Sequence, residues 1–273
     1  MELKTIEYDV SERIATITLS RPERMNAWTG RMNAEYRYVL QEADNDAEVR
    51  AIIVTGAGRG FCVGADSRAL AGHVERGEYD SGITEKLAEP GFGTRACFDA
   101  EFAYHFGLSK PVIAAINGPA AGVGLVLACY ADIRFAAPGV KLTAANGKLN
   151  LPAEFGLSWL LPRMIGIARS NDLLFTCRVF VSDEAAEMGL IHKIVEPQAL
   201  IPETRRYVLS MIDNVSPSSL RQMKWQTYSD LHSDVDEAVV RSQDLVNEMV
   251  RESDFKEGVG ALVENRKPRW SGS

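Results

Sequence analysis

Apolar positions along this chain fall into short unbroken runs in its first half and helical stripes in its last third. Residues 5–10 and 14–19 are rich in β-branched side chains and predict two strands joined by a hairpin turn at Ser11-Glu12-Arg13. Arg21-Pro22-Glu23-Arg24 breaks the pattern. Met32, Tyr36, Val39, Leu40 and Ala43 then recur at the spacing of one helix face. Residues 51–55 and 112–116 are apolar without alternation, as expected of strands covered on both faces. Shorter strands are predicted at 133–136 and 140–143, and a buried helix at 123–131. Between 67 and 109 the pattern turns irregular, with Gly77, Gly82, Pro90, Gly91 and Gly93, which predicts short helices and a loop suited to a lid or pocket. Strands alternating with helices imply an α/β architecture.

Beyond residue 200 the stripes are all helical. Ser216-Pro217 is a good helix start, with a capping serine and proline at the first helical position. Ser233 opens another helix, striped by Val235, Ala238, Val239, Leu245, Val246, Met249 and Val250, and 255–264 forms a last one. The chain is therefore read as an α/β core over 1–200 and a helical region over 201–273, placed to oligomerise, to cover the core or to add a layer to it.

Two glycine-rich turns interrupt the apolar runs. One follows the strand at 51–55 in Thr55-Gly-Ala-Gly-Arg-Gly-Phe-Cys-Val-Gly-Ala-Asp66; the other follows the strand at 112–116 in Asn117-Gly-Pro-Ala-Ala-Gly-Val-Gly124. Glycine brings the backbone close to a ligand and tolerates unusual dihedrals. The helix after the second turn opens with N–H groups that lack intrahelical partners. Together such turns can hold a developing oxyanion between peptide N–H groups.

The 273 residues are 46% hydrophobic, enough for a large core. A net charge of −7 and a pI near 5.3 argue against nucleic acid as a partner. Cys62, Cys97, Cys129 and Cys177 are widely spaced without a Cys-x-x-Cys, which suits reduced thiols in a cytoplasmic protein and gives no metal site. The N-terminus lacks a secretory pattern. Residues 111–131 are apolar enough to suggest a membrane span, yet Pro119, Gly118, Gly122 and Gly124 break them into strand, turn and helix.

Several motifs, in order, resemble the crotonase family, the enoyl-CoA hydratase/isomerase superfamily. Arg21-Pro22-Glu23-Arg24-Met25-Asn26-Ala27 resembles its first coenzyme A loop, the turn ending at Ala65-Asp66 its adenine and oxyanion loop, and Lys110 to Gly118 with Gly122-Val-Gly124 its second oxyanion segment. Phe255-Lys-Glu-Gly258 and Glu264-Asn-Arg-Lys-Pro268 resemble its C-terminal helix and tail. The resemblance implies a spiral of β-β-α repeats, a C-terminal helical trimerisation region, and homotrimers often paired into hexamers. It implies an acyl-CoA thioester as substrate, with coenzyme A as part of it and no further cofactor. The thioester oxygen would sit between the N–H groups of Ala65 and Val123; Arg24, Ala27, Ala65, Asp66 and Lys267 would contact the coenzyme, Lys267 across a subunit boundary.

Family hydratases use two glutamates, and at the matching positions this chain has Val126 and Asn146. A third acid position of the family, used by some isomerases and a dehalogenase, matches Glu154 within Leu151-Pro-Ala-Glu-Phe-Gly-Leu-Ser-Trp159. Apolar neighbours raise a carboxyl pKa toward neutrality. One acid/base suffices to move a double bond, so 3,2-trans-enoyl-CoA isomerase-type chemistry is favoured over hydration, hydrolysis or another enolate reaction, with a non-catalytic acyl-CoA-binding protein as the rival class. His73, His105, His192 and His232 show no metal-ligand spacing; His105 lies in the expected pocket region and is the one histidine singled out for mutation.

Overall fold

The structure is a computed structural model that describes residues 1–76 and 86–271, with the side chains of 69, 70, 73, 74 and 76 excepted. Gly77, Gly82 and the His73 side chain lie outside the described residues. In chain order the elements begin with β1 (Ile6–Ser11), β2 (Ile14–Leu19), α1 (Gly30–Asn45), β3 (Ala51–Gly56), α2 (Ser67–Arg76) and β4 (Val112–Ile116). There follow β5 (Ala120–Ala121), α3 (Val123–Tyr130), β6 (Ile133–Ala136), β7 (Lys141–Thr143), α4 (Leu157–Ile165), α5 (Ile167–Thr176), β8 (Phe180–Val181), α6 (Ser182–Glu187) and β9 (Lys193–Ile194). The chain closes with α7 (Leu200–Asn214), α8 (Pro217–Asp230), α9 (Val235–Met249) and α10 (Ser253–Val263).

β1 and β2 form the expected antiparallel hairpin, and its turn places Glu12 (φ 50°) and Arg13 (φ 64°) in the left-handed region. The main sheet runs β1-β2-β3-β4-β6-β9, parallel from β2 onward. A second small sheet, β5-β7-β8, stands beside it. The unbroken apolar run of β3 has its predicted cause: Ile52 and Val54 enter one core with Ile17, Val112 and Ala114. Ala51 and Ile53 enter a second core with Ile14, Ile113 and Ala115 on the opposite face. Along α1, Met32, Tyr36, Val39, Leu40 and Ala43 face the first core, and the Thr29 hydroxyl caps the helix by accepting from Met32 N at 3.1 Å.

The helices beyond 200 have two different surroundings. α7 closes the second core with Leu200, Val208 and Ile212. α9 buries none of its side chains, and Val235 (78% exposed) and Val246 (59%) remain in solvent. The sequence expects α9 to start at Ser233; Asp234 is the capping residue instead, its carboxylate accepting from Glu237 N at 3.2 Å. No helix among the described residues is long and apolar enough to cross a membrane.

Candidate active site

The loops after β2, β3 and β4 leave from the same, carboxyl-terminal edge of the parallel sheet, the edge at which such sheets gather ligands. Asparagines tie these loops together. Asn26, fully buried, accepts from Arg21 N (2.8 Å) and donates to the carbonyls of Ala57 (3.0 Å) and Gly60 (2.8 Å). From the other side Asn117 accepts from Gly56 N (3.1 Å) and donates to Gly58 O (3.0 Å). Neither is a predicted site residue. The signal for Asn26 lies in its left-handed backbone (φ 57°), a conformation asparagine tolerates, but the carbonyls it donates to, of Ala57 and Gly60, are more than thirty residues away.

The two glycine turns meet. Ala121 N donates to Cys62 O (3.0 Å), and a Cβ on Gly124 would lie 1.9 Å from that same oxygen, so only glycine admits the approach. Gly64 lies against Ala121 and Gly122. Ala65 is bridged to Trp28 through Gly64 O and Asp66 N, which turns its own N–H to the other side. Val123 is the first residue of α3. Among the described residues no acceptor takes a hydrogen bond from Ala65 N or Val123 N. Two unengaged donors thus follow immediately on glycines that touch each other.

Asp66, almost fully buried, accepts from Arg21 (2.9 Å) and from Arg68 N (3.0 Å), with the Arg24 guanidinium 3.6 Å away. Burial pushes its carboxyl up, but the Arg68 amide and the two arginines outweigh that and hold it below the usual carboxylate range. Ala27 is buried in the same loop, its carbonyl accepting from Arg21 at 2.6 Å. Arg24, Ala27, Ala65 and Asp66 are therefore neighbours. Lys267 is not among them: it sits exposed on a tail that Trp270 fastens to Asp213 O at 3.1 Å.

Glu154 begins a short 3-10 turn in which Phe155 is left-handed (φ 50°), and Tyr130 of α3 donates to Phe155 O at 2.8 Å. The carboxylate is half-buried and accepts a hydrogen bond from Asn146 Nδ2. Burial raises its pKa, and the Asn146 hydrogen bond opposes the rise. An aromatic wall joins this turn to the glycine-rich turns. Phe102 packs on Trp28 (5.6 Å between centroids), on Phe155 (5.1 Å) and on Tyr130 (6.1 Å). Val126, fully buried in α3, offers no polar group.

His105 belongs to the core. Its Nδ1 donates to Phe102 O (2.6 Å), which leaves Nε2 to accept from Tyr36 OH (2.8 Å), and burial pushes its pKa down to about 3. It is neutral and has no free nitrogen for chemistry. His192 packs against Phe135 and Tyr207, and His232 stacks on Trp159. Among the described residues no three His, Cys, Asp or Glu side chains are grouped to hold a metal.

The family model for enoyl-CoA hydratase/isomerase matches residues 9–273. The chain belongs to the enoyl-CoA hydratase/isomerase family. Within this crotonase superfamily it is 31% identical over 263 residues to the 1,2-epoxyphenylacetyl-CoA isomerase of Escherichia coli, covering 96% of this chain and 97% of the relative. It is 35% identical over 260 residues to "Probable enoyl-CoA hydratase EchA12" of Mycobacterium tuberculosis, covering 93% and 88%. The crystal structure of an enoyl-CoA hydratase from Bacillus anthracis superposes with a TM-score of 0.85 at 27% identity, covering 99% of this chain and all of that one (100%). The mixed α/β core with its C-terminal helices is thus the crotonase fold, and the chain is an enzyme of this hydratase/isomerase type.

Proposed function

We propose that this enzyme shifts a double bond within an acyl-CoA thioester, as a 3,2-trans-enoyl-CoA isomerase does, with Glu154 as its single acid/base. The observation that carries the reading is one half-buried carboxylate, its pKa raised by burial, joined by an aromatic wall to two unengaged backbone donors. The thioester oxygen lies between the N–H groups of Ala65 and Val123. Glu154 takes a proton from C2 of a 3-enoyl group, the electrons move onto that oxygen as a dienolate, and the same carboxyl returns the proton at C4. The double bond ends between C2 and C3, with no net change in atoms or charge. Each backbone donor contributes about 3–4 kcal/mol to holding the enolate. Water addition would call for acids where the chain has Val126 and Asn146.

In this reading Arg24 contacts the coenzyme's phosphates, Ala27, Ala65 and Asp66 shape its adenine loop, and Lys267 reaches it from a neighbouring subunit of a trimer or hexamer working in the cytoplasm. The test is turnover of a 3-enoyl-CoA and a 2-enoyl-CoA by the wild type and Glu154→Gln. Isomerisation of the 3-enoyl ester should fall about a hundredfold or more in the variant, the usual range for a lost general base. Turnover that survives in Glu154→Gln removes Glu154 from the mechanism. Binding of coenzyme A esters without turnover of either points to another substrate class or to a binding protein.

A further inference from the structure

Asn146 is the most buried polar side chain beside Glu154, 5% exposed, and only half of it is engaged. It opens the short turn Asn146–Leu149, flanked by Ala145 (φ 62°) and Asn150 (φ 58°), both left-handed. Its own backbone closes that turn: N donates to Ala144 O (2.8 Å) and O accepts from Leu151 N (3.1 Å). The turn therefore aims the amide inward without help from the side chain. Nδ2 donates to Glu154 Oε2, while Oδ1 is buried with no hydrogen-bond partner. Chemistry fixes this orientation, because an ionised carboxylate only accepts and must face the NH2 end. A buried acceptor without a partner is uncommon and unfavourable. An amide kept for packing alone would be replaced by leucine at no such penalty.

We propose that Asn146 is the positioning residue of this site, holding the Glu154 carboxylate through Nδ2 and leaving Oδ1 to take an O–H donor from the bound acyl group or from a water lying against it. This rests on Glu154 as the acid/base. Other charged or titratable groups on the surrounding elements are engaged elsewhere or face outward. Tyr130 of α3 donates to Phe155 O, Arg163 of α4 lies over the Trp159 ring at 4.1 Å, and Asp172 of α5 is paired with Arg178 at 2.7 Å. Lys148, on the same turn as Asn146, and Arg169 of α5 are exposed, and His105 on the wall is held neutral by its burial.

The test compares the wild type with Asn146→Leu and Asn146→Asp. The 13C resonance of the Glu154 side-chain carboxyl, which reads the contact without any substrate, should titrate about one pH unit higher in Asn146→Leu, as the loss of a bond to a charged group implies. In Asn146→Asp two adjacent carboxylates should push it higher still. With a 3-enoyl-CoA, kcat should fall about tenfold or more in Asn146→Leu. The acid limb of kcat/KM should move up with the resonance while KM stays near that of the wild type. A donor on the acyl group predicts that the wild type favours a hydroxyl-bearing 3-enoyl-CoA over its deoxy counterpart about tenfold or more, and that Asn146→Leu loses the preference. A water predicts no preference in either, with the kcat loss intact. An unmoved carboxyl titration and a wild-type kcat in Asn146→Leu overturn the proposal. A moved titration beside full turnover in Glu154→Gln leaves Asn146 in place and overturns the isomerase reading instead.

Discussion

Gly124 shows how much of this site is set by single positions. With a Cβ there 1.9 Å from Cys62 O, Gly124→Ala must push apart the two segments that carry Ala65 and Val123. We expect it to lower stability by about 2–3 kcal/mol, the range for overpacking a closed site, and to abolish turnover; urea unfolding and activity on the same sample check both. Glu154 carries a cost of another kind. Burial raises its pKa, so the folded protein binds its proton more tightly than the unfolded chain does. That contribution to stability is full below the ordinary glutamate range and lost as pH rises through the raised value. Glu154→Gln, held neutral, should melt above the wild type at neutral pH, and the gap should close in melts run at progressively lower pH. The two glycine turns are legible in the sequence because close backbone approach needs glycine; the choice of residues 65 and 123 within them rests on the resemblance to the family. The partners of Asn26, Asn117 and Asn146 are not, because left-handed turns at non-glycine residues such as Ala145 and Phe155 leave no compositional mark.

At the scale of elements, α8 is fastened to the sheet by a buried cluster. Lys224 Nζ donates to Asp132 Oδ2 (2.8 Å) and to Lys110 O (3.0 Å), and Tyr228 OH donates to Asp132 Oδ1 (2.8 Å). Asp132 Oδ2 also accepts from Val112 N, at the start of β4 (2.6 Å). Removing one member of such a pair strands the other, so Lys224→Ala should cost about 3 kcal/mol in equilibrium unfolding. Truncating the exposed Arg206 of its pair with Glu203 should change stability by less than about 1 kcal/mol. Among the longer elements β3, β4 and α3 are legible to within a residue or two and α1 announces itself by its stripe, whereas α4, α5 and α7 are not located one by one in the sequence. The two-residue strands β5, β8 and β9 are not, because they exist only through neighbours brought from elsewhere in the chain.

Over the whole molecule, the apolar surface left in solvent is concentrated on the helices after 230 and on α5. Leu262 (81% exposed), Val263 (80%) and Phe175 (81%) are exposed, as are Val235, Val239 and Val259. Exposed apolar side chains in such number mark contact surfaces, and α9 is amphipathic yet buries no side chain within one chain; the trimer or hexamer proposed above would cover it. Light scattering should give a mass near 90 kDa, three times the 30.0 kDa chain, or twice that for a hexamer. Leu262→Glu combined with Val263→Glu should shift the population toward the single chain. The α9 stripe is legible in the sequence; which surface covers it is not, because the pattern is the same whether the cover is the chain's own core or another copy.

The two halves of the site are built from different materials. In the proposed reaction the grip on a carbonyl oxygen comes from peptide groups, whose chemistry no substitution alters so long as the glycines keep the segments touching. In that reading the choice of what happens next falls to side chains at 126, 146 and 154, none of which contributes to the contact between the glycine turns. A scaffold divided this way can be re-tasked by exchanging a few side chains while the backbone that holds the substrate is left as it was.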